Sequence, residues 1–324
     1  MTSRARVLAA IVILAACGTP VLADDPKSCA FDGTPYDQKV LAARIELLAS
    51  EKLDGRVPGT DGDKAARAHI VARMTCLGLL PAFDGGYEQA FVDSAKQKTA
   101  NLAGYIKGTD DKVGSEIIVI GAHHDHTGGK HLGANDNASG VTALLAIAQA
   151  IRQKEGGPRR TIAFVTFGAE EQGMVGSSFF VEHAPKTLPM GKVVQYINLD
   201  MVGSYKSKGW VAAMGTFAKL PARAVLDKLK KSYRKLSVGV GGRARGSDHV
   251  GFCKAGVPYV FFWTPDKRCY HQACDTADAI DLPHMAQISA LAGDLAWHLA
   301  ESPLDLAASK ATHGCGQTYT DDDL

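Results

Sequence analysis

The chain has 324 residues, of which 46% are hydrophobic and 22% are charged. These proportions are ordinary for a globular protein and provide enough apolar residues for a full core. The formal net charge of +2 includes Arg4 and Arg6 near the N-terminus, so the rest of the chain is close to neutral. A near-neutral chain argues against nucleic-acid binding, which requires a basic patch.

The first residues have the pattern of an export signal. Arg4 and Arg6 precede an apolar run over residues 7–16, which is too short to span a bilayer. We predict a signal peptide over residues 1–23. An ordinary cleavage site follows Val21-Leu22-Ala23, but the segment LAAC, which ends at Cys17, resembles a bacterial lipobox and would instead make Cys17 a lipidated N-terminus. We therefore expect an exported bacterial protein that is periplasmic, secreted or anchored to the outer membrane as a lipoprotein.

Six further cysteines follow the predicted signal. They are Cys29, Cys76, Cys253, Cys269, Cys274 and Cys315. An even number of cysteines in an exported protein indicates disulfides, although six cysteines allow 15 pairings. We predict a local bridge between Cys269 and Cys274 and leave the other pairings open.

Helix-type and strand-type patterns alternate along residues 24–310. Predicted helices cover residues 37–53, 63–77, 139–151, 177–183, 220–233 and 283–300. Predicted strands cover residues 102–106, 116–120, 161–167, 192–199, 210–214 and 257–263, and we expect the first two to be neighbours. This alternation predicts a single α/β domain with a central, mixed but mostly parallel β-sheet flanked by helices. Residues 311–324, which end in the acidic run Asp321-Asp322-Asp323, are predicted to form a C-terminal tail.

The stretch over residues 117–140, IIVIGAHHDHTGGKHLGANDNASG, combines a strand with candidate metal ligands. Its β-branched start suits a strand that is buried on both faces. If the chain stays extended, His123 and Asp125 share one face, while His124 and His126 take the other. His123 as a metal ligand with Asp125 in support fits the usual carboxylate–imidazole pairing. The alternative is a polar loop with surface histidines.

Further candidate ligands follow other predicted strands or lie in late loops. They are Asp136, Glu170, Glu171, Asp200 and His271. The adjacent Glu170 and Glu171 would repel each other if buried alone, whereas a divalent cation removes this penalty. Each of these residues also has a simpler interpretation. The glutamates could lie in a solvated loop, Asp200 could stabilise a turn, and Asp136 could cap the helix that follows, although Ser139 is better placed to cap it. Two histidines and three carboxylates at strand ends of one sheet form a ligand set suited to zinc.

The motifs GAHHDH, GANDNASG, GAEEQGMVGS, NLDMVGS and YHQACDT resemble, in order and spacing, those of the M28 family of zinc aminopeptidases. The resemblance extends from about Asp37 to the last predicted helix. It implies the zinc-exopeptidase fold and two zinc ions per chain. Asp136 would bridge the ions, with His123 and Asp200 completing one site and Glu171 and His271 completing the other.

The resemblance also implies roles for residues around the metals. Glu170 would be the general base, and Tyr270 matches a residue that in some members donates a hydrogen bond to the developing oxyanion. The Asp136–Asn137 peptide would be cis, and Asp248 would have a supporting role. The substrates implied are peptides with a free N-terminus.

Three other functions are compatible with the same fold. They are a glutaminyl-cyclase-like acyltransferase with one working zinc, a related carboxypeptidase and a non-enzymatic binding protein. Retention of His123 and of both glutamates favours the two-metal hydrolase. The carboxypeptidase alternative stays open because Arg243 and Arg245 could bind the C-terminal carboxylate of a substrate. We assign no function to His124, His126, His131, His249 and His313, which we interpret as surface or hydrogen-bonded residues. Side-chain preference and oligomeric state are not predicted.

Overall fold

The computed structural model describes residues 33–244 and 246–312. Its strands are β1 (Leu80–Pro81), β2 (Glu88–Val92), β3 (Lys98–Ile106), β4 (Ile117–His123), β5 (Thr161–Phe167), β6 (Val193–Leu199), β7 (Val211–Met214), β8 (Val238–Val240) and β9 (Tyr259–Trp263). Its α-helices are α1 (Gln38–Leu48), α2 (Asp61–Cys76), α3 (Gly140–Arg152), α4 (Val175–Glu182), α5 (Tyr205–Lys208), α6 (Pro221–Leu229), α7 (His249–Lys254), α8 (Leu282–Glu301) and α9 (Leu306–Thr312). Short 3-10 turns cover Glu51–Arg56, Met190–Lys192 and Ala277–Ala279, and a π-helical turn covers Ala134–Ser139.

The strands form one mixed sheet in the order β1-β3-β5-β4-β6-β9-β7-β8, with β2 paired to β3. The predicted α/β fold is confirmed. The four central strands, β5, β4, β6 and β9, are parallel, whereas β3 is antiparallel to β5 and β7 is antiparallel to β9. The sheet is therefore parallel at its centre and mixed towards its edges, where β7 and β8 are again parallel to each other.

The predicted pairing of the first two strands is wrong. β3 pairs with β5, and β4 lies on the other side of β5. The connection over residues 107–116 steps past one position in the sheet, and β5, which comes later in the chain, fills that position. Local sequence contains no information about this later insertion.

Strand β4 is buried on both faces, as its β-branched run predicts. Ile118 and Ile120 belong to the core layer that contains α1, α2, α3 and α8. Ile117 and Val119 face the other layer, which contains Phe180 of α4 and Phe252 of α7. A central strand covered by helices on both sides gives its last residue, His123, a fixed position at the edge of the core.

Helix ends differ from the predicted ones where side chains compete with the helix. Helix α1 begins after Asp37, whose carboxylate accepts hydrogen bonds from the N–H groups of Lys39 and Val40. It ends at Leu48, and the 3-10 turn that follows takes up the rest of the predicted helix. Ser139 does not cap α3, because its hydroxyl donates to the carbonyl of Asn135 and accepts from the N–H of Val202.

The predicted Cys269–Cys274 disulfide is present. Cys17, Cys29 and Cys315 lie outside the described residues, as do the predicted signal peptide and most of the predicted tail. Within residues 33–244 and 246–312, no helix has both the length and the apolar character needed to cross a bilayer.

Candidate metal centre

Three predicted ligands meet where β4 and β6 end. His123 is the last residue of β4, Asp200 follows β6, and Asp136 lies in the π-helical turn before α3. His123 Nε2 is 3.2 Å from Asp136 Oδ1 and 3.4 Å from Asp200 Oδ1. All three side chains are buried. We call this group the strand pocket.

Asp136 also belongs to a second group, with Glu171 and His271. Its other oxygen, Oδ2, is 3.2 Å from His271 Nε2, which in turn is 2.9 Å from Glu171 Oε2. His271 has a positive φ of 53° in the loop closed by the Cys269–Cys274 disulfide. We call this group the loop pocket. The two carboxylate oxygens of Asp136 are thus divided between the pockets.

Both pockets have the donors and spacing that a divalent cation requires. The ligand atoms of the strand pocket lie within 4.8 Å of one another, and so do those of the loop pocket taken together with His126. His271 Nε2 is close to two carboxylates, yet no hydrogen bond of acceptable angle satisfies it. Imidazole nitrogen with carboxylate oxygen is a donor set that zinc accepts. The residues present fit metal ions in both positions.

The electrostatics of the pockets reflect an excess of carboxylates. Burial by itself lowers the pKa of His123, but the nearby charges of Glu170 and Asp200 outweigh burial and raise it well above the usual value. The adjacent carboxylates of Asp136 and Glu171 raise the pKa of His271 to about 10. A bound cation would replace these protons as the positive charge that the carboxylates need.

Asp125 connects the two pockets. Its carboxylate accepts hydrogen bonds from the backbone N–H groups of Glu170 and Glu171, at 3.0 and 3.3 Å. His123 Nδ1 is 3.2 Å from the carbonyl oxygen of Asp125 and 3.7 Å from its carboxylate. Asp125 therefore orients the imidazole mainly through its backbone, while its side chain fixes the loop that carries the two glutamates.

Ala169, which precedes Glu170 and Glu171, has a φ of 58° and turns the chain at the end of β5. Both glutamates line the cavity, and Glu171 also faces His271. Burial raises the pKa of Glu170 well above its usual value, and the charges of Asp248 and Asp200 raise it further against the opposing effect of His123. A carboxylate in this environment accepts a proton readily.

Tyr270 is half-exposed beside the loop pocket. Its ring stacks on that of His271 with a centroid separation of 3.9 Å, and it lines the same cavity as Glu170. Burial and the charge of Asp136 raise the pKa of its phenol above the usual range. The hydroxyl therefore stays protonated at neutral pH and can donate a hydrogen bond.

Two residues that support Asp136 were not predicted. Asp275 accepts hydrogen bonds from the N–H groups of Asn135 and Asp136, at 2.7 and 3.0 Å. Asn137 Oδ1 accepts from the N–H groups of Gly140 and Met201. The peptide bond that joins Asp136 to Asn137 is cis, as the family resemblance implies. Asp275 stands in the YHQACDT motif, so the motif itself was the available signal.

Arg56 is a further unpredicted residue and is completely buried. Its guanidinium donates to four carbonyl oxygens, those of Leu48, His124, Leu132 and Gly133, at 2.6 to 2.9 Å. Burial lowers its pKa to about 10, and the charges of Asp125 and Asp136 oppose this effect. Arg56 thus carries a positive charge at neutral pH and ties together both ends of the loop between β4 and the turn of Asp136.

The predicted placement of His126 on the same side as His124 is wrong, whereas Asp125 lies beside His123 as predicted. Strand β4 ends at His123, so the two-residue period does not continue. His124 turns away from the pockets, with Nδ1 3.2 Å from the Thr166 hydroxyl and Nε2 3.6 Å from Asp63. His126, in contrast, lies beside Glu171 in the loop pocket. It is buried rather than a surface residue.

A cavity of 690 Å³ opens over the pockets. Asp136, Glu170, Glu171 and Asp200 line one part of it. The apolar side chains of Met201, Met214, Phe261 and Trp263 line another part. Arg243 and Lys267 contribute exposed cations, whereas Arg245 lies outside the described residues. Asp248 is buried, and burial raises its pKa to about 7. An α/β sheet with nitrogen and carboxylate donors at its strand ends, under an open cavity, defines a candidate metallohydrolase.

Comparison with known proteins identifies the family. Residues 101–296 match the model of peptidase family M28. The chain is 26% identical to leupeptin-inactivating enzyme 1 of Streptomyces exfoliatus over 313 residues, which cover 86% of this chain and 67% of that protein. It is 30% identical to a probable leucine aminopeptidase of Arthroderma otae over 304 residues, 85% of this chain and 80% of that protein. The chain belongs to peptidase family M28, as its motifs predicted, and is an enzyme of the hydrolase class.

Other relatives share shorter regions or the fold alone. Aminopeptidase YwaD of Bacillus subtilis is 31% identical over 212 residues, and this match spans 43% of its length. The structure of a zinc aminopeptidase of Bacillus subtilis superposes with a TM-score of 0.70 at 17% identity, covering 84% of this chain and 98% of that one. A glutaminyl cyclase of Bacteroides thetaiotaomicron superposes with a TM-score of 0.66 at 21% identity, covering 81% and 98%. At these identities the superpositions establish the fold.

Proposed function

We propose that this chain is a di-zinc aminopeptidase that hydrolyses the N-terminal peptide bond of peptides. The observation that carries the proposal is the position of the Asp136 carboxylate between the two pockets. Its Oδ1 faces the strand pocket and its Oδ2 faces the loop pocket. A shared carboxylate between two nitrogen–oxygen pockets suits a pair of ions about 3.5–4 Å apart. The aminopeptidases among its relatives support the same function.

The reaction requires metal ions, a general base and a hydrogen-bond donor to the developing oxyanion. When bound, the zinc ions lower the pKa of a water molecule towards about 7 and polarise the scissile carbonyl. Glu170, whose pKa is raised by burial, takes a proton from the attacking water and delivers it to the leaving amine. The Tyr270 hydroxyl donates a hydrogen bond to the oxygen that becomes negative. Asp125 keeps His123 and the backbone of both glutamates in position.

The cavity supports recognition of a free N-terminus. Its carboxylates attract an α-ammonium group, and the apolar surface formed by Met201, Met214, Phe261 and Trp263 accepts the side chain of an apolar N-terminal residue. We also propose that the enzyme acts after export. The Cys269–Cys274 disulfide supports this, because such bonds persist in oxidising compartments.

The function is tested by exchanging the proposed base. Glu170→Ala should retain wild-type zinc while turnover of aminoacyl substrates falls by about 10²–10⁴-fold, the usual contribution of a general base. Glu182→Ala, which changes an exposed glutamate in α4, is the matched control and should behave as wild type. Near wild-type turnover in Glu170→Ala would contradict the base assignment.

The substrate class is tested with paired peptides. Wild-type enzyme should cleave a peptide with a free, apolar N-terminal residue and leave its N-acetylated counterpart intact. Cleavage at the C-terminus would instead identify a carboxypeptidase. Formation of pyroglutamate from N-terminal glutamine without hydrolysis would identify a glutaminyl cyclase.

A further inference from the structure

His126 contacts the loop pocket but is absent from the proposed set of ligands. Its ring is buried, and Nδ1 is 2.6 Å from Glu171 Oε1. The backbone of Gly133 packs against the ring so closely that a Cβ at that position would lie 2.5 Å from His126 Cγ. Gly133 also has a φ of 63°, which favours glycine. The Gly133 backbone therefore restricts the orientation of the imidazole.

The contact with His126 makes the two oxygens of Glu171 unequal. Oε1 is occupied by His126 Nδ1, whereas Oε2 faces His271 Nε2 at 2.9 Å. The other carboxylate of the pocket, Asp136, is farther from the ring, with Oδ2 3.9 Å from His126 Nδ1. His126 therefore acts mainly on Glu171.

We propose that His126 is a positioning residue for the second metal site. Its Nδ1–H donates to Glu171 Oε1 and holds the carboxylate so that Oε2 alone points into the loop pocket. This inference rests on the proposed di-zinc function. Hydrogen-bond partners of ligating carboxylates commonly change metal affinity by about 10–100-fold when removed.

The short distance favours a hydrogen bond over direct coordination by His126. Two ligand atoms of one tetrahedral zinc ion are separated by roughly 3.3 Å, given metal–ligand bonds of about 2.0–2.1 Å. The other imidazole–carboxylate pairs in the two pockets are 2.9 to 3.4 Å apart. At 2.6 Å, His126 Nδ1 and Glu171 Oε1 are closer than any of these pairs and have the separation of a charge-assisted hydrogen bond.

Zinc affinity, measured by competition with a chelating dye, tests the role without relying on activity. His126→Leu replaces the imidazole with an apolar side chain of similar size and removes the donor, so the second zinc should bind about 10–100-fold more weakly while the first is unchanged. His126→Asn places an amide N–H near the position of Nδ1 and should restore affinity to within about 3-fold of wild type. His131→Asn, in the same loop but hydrogen-bonded to Thr127, is the matched control.

Two results would overturn the proposal. One is a second zinc affinity in His126→Leu within about 2-fold of wild type, because the loss of a hydrogen-bond partner to a ligating carboxylate weakens binding by at least about 10-fold. The other is an asparagine variant as weak as the leucine variant, which would mean that the imidazole coordinates the metal itself. If His126→Leu does not fold, the asparagine variant decides alone: affinity for the second zinc within about 3-fold of wild type supports the role, and a larger loss contradicts it. Failure of the proposed function is seen separately, as a wild-type protein that binds fewer than two zinc ions.

Discussion

The two pockets share Asp136 but are built differently. In the strand pocket, His123 and Asp200 are attached to the ends of β4 and β6, and their side chains are 1% and 10% exposed. In the loop pocket, Glu171 and His271 are carried by loops, and the His271 side chain is 34% exposed. The strand pocket takes its rigidity from the parallel core of the sheet. The loop pocket depends on local supports, which are the disulfide and the contact between His126 and Glu171.

The largest effect is expected where the pockets join. Asp136→Ala removes a ligand from both pockets, so zinc should fall from about two ions per chain to nearly none, because binding requires the complete ligand set. Activity should be lost with the metal. Elemental analysis of the purified protein measures this, with Asp278→Ala, an exposed carboxylate, as the control. Normal zinc content in Asp136→Ala would refute the bridging role.

An intermediate effect is expected from opening the disulfide loop. The double variant Cys269→Ser and Cys274→Ser frees the segment that carries His271, so the second zinc should bind about 10-fold more weakly while the first keeps its affinity. Stepwise zinc titration separates the two constants. If both zinc affinities fell equally, or if neither fell, the loop pocket would not depend on the disulfide more than the strand pocket does.

An effect on folding stability, and not on zinc binding, is expected away from the ligands, at His249. Its ring is buried between those of Tyr259 and Phe261, and burial lowers its pKa to about 4. The unfolded chain takes up a proton as the pH falls through about 6.5, whereas the folded chain does so only near its own lower pKa. Stability from this residue is therefore complete above pH 6.5 and is lost as the pH falls towards 4.

His249→Phe keeps an aromatic ring at this position but does not titrate. Between neutral pH and about pH 4.5, the wild type should lose on the order of 2–3 kcal/mol more unfolding free energy than this variant. Urea unfolding of zinc-free protein at several pH values measures the difference, and the exposed His183→Asn is the control. Parallel pH curves for wild type and His249→Phe would contradict the assignment.

The residues that were predictable from sequence are those fixed by strand ends. Strand β5 covers the predicted residues 161–167, and the motif residues that follow β4, β5 and β6 come together because parallel strands end on one edge of the sheet. The pairing of β3 with β5 was not predictable, because it depends on a strand that comes later in the chain.

Residues whose function depends on distant backbone were also missed. Arg56 lies in a turn-rich segment, and its importance comes from carbonyls up to 77 positions away along the chain. His126 was misplaced because strand alternation was extended past His123, where β4 ends. Both errors concern the loops that support the metal pockets and not the strands that carry the ligands.

X-ray diffraction from zinc-loaded crystals, recorded at the zinc absorption edge, is the most direct measurement of the proposed centre. We predict two anomalous peaks on either side of the Asp136 carboxylate, about 3.5–4 Å apart, one near His123 and Asp200 and the other near Glu171 and His271. A single peak, or peaks remote from Asp136, would contradict the di-zinc centre.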